Sequence, residues 1–218
     1  MILRNLTILG VLEKMKNKTL LNSIRGAPYD LKCQEASDNN ISSLIFRTNY
    51  FQIEDLDIKS IIDLGSQQGQ FARLIQSKKN IQDITCLDVS RITVEKGIKR
   101  NPDFKWINKN FMDFKPTRTY DLVLCLNWLF YLNLDERAFT FLKINKMLNK
   151  GGNFLLSFGD SNFAKKNLTF MDITKEVEKY FKIMNICRVN ELAPLFKIDP
   201  NKHTYLGRWY TSLLLQKK

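Results

Sequence analysis

The chain is predicted to be an α/β protein with a mostly parallel sheet and helices on both faces, and three observations predict it. Residues 60–64 form an apolar run carrying Asp63, followed by a small polar turn between Gly65 and Gly69. Phe71, Leu74 and Ile75 then recur at helical spacing, so this segment reads as a buried strand, a tight loop and a helix start. A second apolar run, Ile84-Thr-Cys-Leu-Asp88, also closes on an acid, 25 positions after the first. From Lys59 onward strand and helix patterns alternate, the signature of parallel strands joined by right-handed crossovers.

The elements follow in order. Leu6, Leu9, Leu12 and Met15 mark one face of an amino-terminal helix, with Leu20, Leu21 and Ile24 as its extension. Gly26-Ala-Pro28 breaks it, and a second helical piece is expected over about 37–46. Residues 1–55 therefore read as a helical cap, and 56–218 as one compact unit. After the first two strands, Tyr120-Asp-Leu-Val-Leu-Cys-Leu126 reads as a strand, and 153–158 as another. Residues 170–179 suit a helix, and 180–189 and 208–216 the last two strands. The connection between those strands is long for a compact domain, and such loops are often functional.

The glycine turn carries the first functional signal. Glycine tolerates left-handed dihedrals and lets a ligand approach the main chain closely. The helix behind the turn presents unpaired N–H groups, so a nucleotide-like cofactor is expected. Asp88, ~20 residues past the loop at the tip of the next strand, suits the two hydroxyls of an adenosine ribose. A nicotinamide enzyme would use the same acid but needs Gly-x-Gly-x-x-Gly, which Gly65, Gln67 and Gln70 do not supply.

At these residues the chain resembles the class I S-adenosylmethionine-dependent methyltransferases, whose first motif is Asp-x-Gly-x-Gly-x-Gly. Here it stands as Asp63, Gly65, Gln67 and Gly69, with glutamine replacing the middle glycine. The resemblance continues through residues 108–114, similar to the acidic loop after the third strand, with Asn110 in the acid's place and Phe111 in the aromatic one. Asn110 is expected to meet the adenine edge through its side-chain carbonyl, with Asp113 as the fallback. Residues 127–132 look like the segment lining the methyl-transfer site. Residues 142–152 look like the helix ending in Leu-x-Pro-Gly-Gly, with Lys150 in place of proline.

The family implies a Rossmann-like sheet of seven strands with one antiparallel strand inserted next to the fifth, and S-adenosyl-L-methionine as cofactor. It also implies a cofactor site made by Asp63, Gly65, Ser66, Gln67, Gly69, Asp88, Val89, Asn110, Phe111, Leu126 and Asn127. In similar enzymes the cap covers the active site; packing against the sheet edge is the other reading.

Methyl transfer from a sulfonium is an in-line displacement with a good leaving group, so alignment matters most and can supply ~7–11 kcal/mol of the barrier. A general base adds ~10²–10⁴-fold when the nucleophile is a hydroxyl. The single histidine, His203, has chemistry suited to a base near neutral pH, although its polar neighbours also describe a solvated loop. Tyr131 stands where several small-molecule methyltransferases carry a histidine and would orient a substrate hydroxyl or amine. Trp128, Phe130 and Tyr131 suit an aromatic wall or core packing, and Asp160 is a further polar candidate. No metal cluster is expected.

Composition bounds the rest. A chain of 218 residues with 44% hydrophobic content can bury one full core. Four scattered cysteines without a Cys-x-x-Cys pair suit free thiols in a reducing compartment. The amino terminus lacks a signal-peptide pattern, and no run approaches the ~18 apolar residues of a membrane span, so a cytoplasmic location is expected. Net charge is +12, but the basic residues are mostly scattered lysines rather than arginines, the preferred fork for phosphate. The turn Asn127-Trp128-Leu129 lacks the prolines with which nucleic-acid amino-methyltransferases grip a flipped base. A small polar metabolite, such as a sugar or biosynthetic intermediate, methylated on O or N, is the expected substrate. An RNA methyltransferase and a non-catalytic relative are the alternatives, and the oligomeric state is not legible.

Overall fold

The computed structural model describes residues 41–126, 128–129, 132–159, 169–191 and 208–218. The helix expected over 6–24, its break at Gly26 and Pro28, Cys33 and the connection over 192–207 lie outside the described residues.

Helix α1 spans Ile41–Tyr50, and a short 3-10 turn, Ile53–Asp55, leads into β1, Ser60–Leu64. Then come α2 (Gln70–Lys79), β2 (Asp83–Asp88), α3 (Arg91–Arg100), β3 (Lys105–Asn108) and β4 (Tyr120–Leu126). Helix α4 (Leu134–Met147), β5 (Leu148–Gly159), α5 (Phe170–Val177), β6 (Phe181–Glu191) and β7 (Arg208–Lys217) complete the order. The seven strands form one sheet in the order β3-β2-β1-β4-β5-β7-β6. Strand β7 runs antiparallel to both β5 and β6, and every other pairing is parallel. The expected antiparallel strand therefore sits beside the fifth.

Period-two alternation divides the strand side chains between two cores. On one face, Ile62, Leu64, Val123 and Leu156 pack with Phe141 and Ile144 of α4 and Ile173 and Val177 of α5. On the other, Ile61, Ile84, Cys86 and Leu124 pack with Phe71, Ala72 and Ile75 of α2 and with Phe51 and Ile53. Helix α1 ends at Tyr50, four residues beyond the expected limit, and the Tyr50 hydroxyl donates to the Ile186 carbonyl of β6 at 2.8 Å. Helix α4 begins with a reciprocal cap: Asn133 Oδ1 accepts the Glu136 amide at 3.0 Å, and Glu136 Oε2 accepts the Asn133 amide at 2.8 Å.

One boundary departs from expectation. Helix α4 stops at Met147 rather than running to residue 152, and β5 starts at Leu148, five residues before the expected strand. Leu148 pairs with Tyr120, Asn153 pairs with Leu122, and the residues between bulge outward through Gly151 at φ 71°. Glycines that suggested a helix end serve instead as a bulge within the strand. Asn149 of this bulge donates to Asp121 Oδ1 at 2.6 Å, while Asp121 Oδ2 accepts the Lys59 and Ser60 amides at 3.0 Å each. That carboxylate ties together the amino ends of β1, β4 and the bulge.

Candidate cofactor and methyl-transfer site

The sheet order reverses between β1 and β4, whose carboxyl ends pair through Leu64 and Cys125. In open parallel sheets the crevice at such a reversal is where ligands bind. The glycine loop emerges there. Gly65 and Ser66 both donate backbone N–H groups to the Leu87 carbonyl, at 2.8 and 3.2 Å, which draws the loop toward β2. Gly65 has φ 69°, and a Cβ on it would meet Trp128 Cδ1 at 3.0 Å, so glycine is needed for both conformation and space. Gly69, at φ 75°, caps α2, and a Cβ there would press on Asn101 and Trp106 at 3.2 Å.

Gln67 adopts φ 50°, the left-handed region its glycine counterpart in the family would reach freely. A side chain there costs ~1–2 kcal/mol, partly offset by the greater entropy that glycine carries in the unfolded chain. Gln67→Gly is therefore expected to leave stability unchanged or raise it by up to about 1 kcal/mol, read by urea unfolding. A loss larger than that would show that the glutamine side chain stabilises the loop.

Both predicted acids stand at strand tips beside this loop. Asp88 is 5% exposed. Its Oδ2 accepts the Gln67 amide at 3.0 Å and its Oδ1 the Ser90 amide at 2.9 Å. The short β2–α3 turn and the glycine loop thus both fold back onto the Asp88 carboxylate, a structural role that spacing alone did not announce. An ionised carboxylate has about four acceptor positions, so two amides do not exhaust it. Ser90 in turn caps α3 by accepting the Thr93 amide at 3.2 Å. Asp63 is 3% exposed, and burial first, then the negative charge of Asp88, push its carboxyl up to about 7.

The loop after β3 forms the next wall. Asn108 Nδ2 donates to the carbonyls of Asp88 and Val89 at 3.1 and 3.0 Å, fastening this loop to the β2 tip. Asn110 Oδ1, the atom expected to face a purine, accepts the Met112 amide at 2.9 Å. An asparagine at the start of a turn satisfies its own backbone this way, which leaves one lone pair of that carbonyl for another donor. Phe111 is 6% exposed and stacks edge-on against Trp128, with centroids 5.5 Å apart; it belongs to the core and walls the site from behind. Leu126 and Val89 are half-buried at the tips of β4 and β2.

Sequence reasoning missed Lys143. From α4 its Nζ donates to the carbonyls of Phe111 and Met112, at 2.5 and 3.2 Å, and stands 4.5 Å from the Phe111 ring centroid. Burial lowers its ammonium to about 8; Asp113 opposes that fall and Lys109 adds to it. A lysine in mid-helix carries no sequence signal for such a role, because the partners are backbone atoms 31 and 32 residues away.

Ser66 Oγ and Trp128 Nε1 are buried beside Gly65, and the nearest polar groups to them are the neutral thiols of Cys86 and Cys125, without full hydrogen-bond geometry. Thiols are weak partners, so these two polar atoms at the glycine loop keep capacity for a stronger one. Asn127, Phe130, Tyr131, Asp160 and His203 lie outside the described residues. The structure thus brings together Asp63, Gly65, Ser66, Gln67, Gly69, Asp88 and Val89, with Phe111 and Trp128 behind.

Residues 62–154 match the family described as a methyltransferase domain. No curated protein matches the chain by sequence. Among solved structures, the chain is similar to the N-methyltransferase NodS from Bradyrhizobium japonicum WM9 in complex with S-adenosyl-L-homocysteine, with TM-score 0.62, 13% identity, and coverage of 83% of this chain and 89% of that one. It is also similar to a TehB-like SAM-dependent methyltransferase from Corynebacterium glutamicum ATCC 13032 (TM-score 0.61, 19% identity, 88% and 97% covered). The PH0226 protein from Pyrococcus horikoshii OT3 gives TM-score 0.65 at 12% identity, with 84% and 93% covered. At such identities these likenesses speak to the fold, while the domain match spans the glycine loop, both acids and the strands that carry them. Residues 62–154 are thus similar to a methyltransferase domain, and the seven-stranded sheet around them has the fold of these solved structures.

Proposed function

We propose that the chain binds S-adenosyl-L-methionine at the β1–β4 crevice and moves its methyl group to an O or N atom of a small polar metabolite in the cytoplasm, with 56–218 acting as one unit. The observation that carries the reading is the pairing of a left-handed glycine loop with two buried acids at neighbouring strand tips. The donor set fits the cofactor. Asp88 would hold the ribose hydroxyls, the Gly65–Gln67 backbone and Ser66 Oγ the amino-acid end, and the β3 loop the base. When bound, the group supplies an electrophilic methyl on a sulfonium.

This chain's contribution is then positional. A loop tied to Leu87 and Asp88 fixes the cradle before the ligand arrives, which is how alignment supplies the rate. Phe111 and Trp128 exclude water from its rear wall. Tyr131 and His203 are proposed to orient and deprotonate the acceptor.

The test is transfer of isotope-labelled methyl into fractionated metabolite extracts and, separately, into total RNA. Label in a small polar fraction supports the reading. Label in RNA, with affinity falling steeply as salt rises, replaces the substrate class; no helix of the described residues is long and apolar enough to cross a membrane. Binding without turnover of either substrate class would favour a non-catalytic relative.

A further inference from the structure

The glycine loop is held from behind as well as from β2. Gly69 donates its N–H to the Ser66 carbonyl at 2.9 Å, closing a turn over Gln67 and Gln68. A trans peptide is planar, so the Gln68 carbonyl points the opposite way to the Gly69 N–H. It meets Asn101, whose Nδ2 donates to it at 2.8 Å. The peptide joining Gln68 to Gly69 is thus fixed at both ends. Gly69 itself does not fix it, since glycine reaches positive and negative φ with similar ease and lets such a peptide turn over cheaply.

Asn101 is held in place on every side. It is 5% exposed and stands directly after α3. Its N–H donates to the Gly97 carbonyl at 2.8 Å, and its own carbonyl accepts the Phe104 amide at 3.2 Å and the Trp106 indole at 3.0 Å. That indole fills the notch over Gly97, where a Cβ would meet it at 2.2 Å. Asn101 Oδ1 accepts Arg73 Nε of α2 at 2.7 Å. A guanidinium only donates and a main-chain carbonyl only accepts, so these two partners call for a side chain with one group of each kind, an amide.

Building on the function proposed above, we propose that Asn101 is a positioning residue for the cofactor. It locks the peptide between Gln68 and Gly69, and so keeps the turn from Ser66 to Gly69 in the form that cradles the cofactor's amino-acid end. It acts from behind the loop, through the main chain. Cofactor affinity then depends on the donor at Asn101 and not on the neighbouring ion pair of Arg73 with Asp103.

Calorimetric affinity for S-adenosylmethionine on the full chain, Asn101→Asp and Arg73→Met tests this. Asn101→Asp keeps an acceptor for Arg73 but turns an oxygen toward the Gln68 carbonyl, and about 20-fold weaker binding is expected at neutral pH. The loss shrinks, relative to the native chain at the same pH, as acid protonates the new carboxyl and its O–H donates where the amide did. Arg73 and, beyond it, Asp103 are the charged groups beside that position. Arg73→Met breaks a half-exposed ion pair and should bind within about twofold of the native chain. Asn101→Ala adds no charge and serves where Asn101→Asp fails to fold. In the ligand-free chain it should lose the slow hydrogen exchange of the Gly69 amide, while Ile62 in β1 keeps its own. Native affinity in Asn101→Asp, equal weakening in Asn101→Asp and Arg73→Met, or unchanged Gly69 protection in Asn101→Ala each overturns the inference and leaves the proposed function standing. Absence of binding by the native chain overturns both.

Discussion

Asp88→Ala is expected to weaken S-adenosylmethionine binding by about 3 kcal/mol, roughly 100-fold, and to lower the stability of the ligand-free chain by about 2 kcal/mol. The two effects have separate origins. A hydrogen bond to a charged group is worth ~1.5–3 kcal/mol, and a sugar diol would offer the carboxylate up to two. The stability loss comes from the Gln67 and Ser90 amides, which lose the acceptors they hold at 3.0 and 2.9 Å. Ser90 is buried, so its amide cannot turn to water without local opening. Asp88→Asn keeps one carbonyl acceptor and is expected to recover part of the stability but little of the affinity. Removing the charge also relieves Asp63, whose carboxyl should titrate lower in either variant. Calorimetry and urea unfolding read these separately. Lost stability with unchanged affinity would assign Asp88 to the loop alone.

Glu176→Ala is expected to cost about 3 kcal/mol of stability, because it strips a carboxylate from an arginine that has no access to water. Arg137 is 0% exposed and its Nη2 stands 2.9 Å from Glu176 Oε1, joining α4 to α5 under the sheet. Burial raises the Glu176 carboxyl, and the attraction of Arg137 only partly offsets this. The pair is therefore costly to break and adds little when intact. Replacing both partners by apolar residues, as in Arg137→Met with Glu176→Leu, should recover most of the loss. A double variant as unstable as Glu176→Ala would mean that the ion pair contributes net stability.

Much of the fold was legible because its signals are local. The runs at 60–64, 84–88 and 120–126 alternate between two cores as a buried parallel strand must, and each appeared within a residue of its observed limits. The antiparallel strand next to the fifth came from the family resemblance, since no periodicity announces strand direction. The Asn149–Gly152 stretch misled because paired glycines end helices and shape bulges alike. In the site, the glycine positions and both acids were readable from spacing. The turn that Asn110 closes on the Met112 amide was not, because asparagine serves many local roles without a distinguishing spacing. Lys143 was invisible because its value lies in two backbone carbonyls that only the packed helix brings near.

The central claim is that the carboxyl ends of β1 and β2 hold an adenosyl sulfonium between a glycine loop and a ribose-binding acid. Isothermal titration of the native chain with S-adenosylmethionine, beside Asp88→Ala and NADH as the rival dinucleotide, tests it most directly. The account predicts a single saturable site for the native chain, about 100-fold weaker in Asp88→Ala, and no heat with NADH. Absence of binding by the native chain at millimolar S-adenosylmethionine, or equal affinity in the variant, would contradict it.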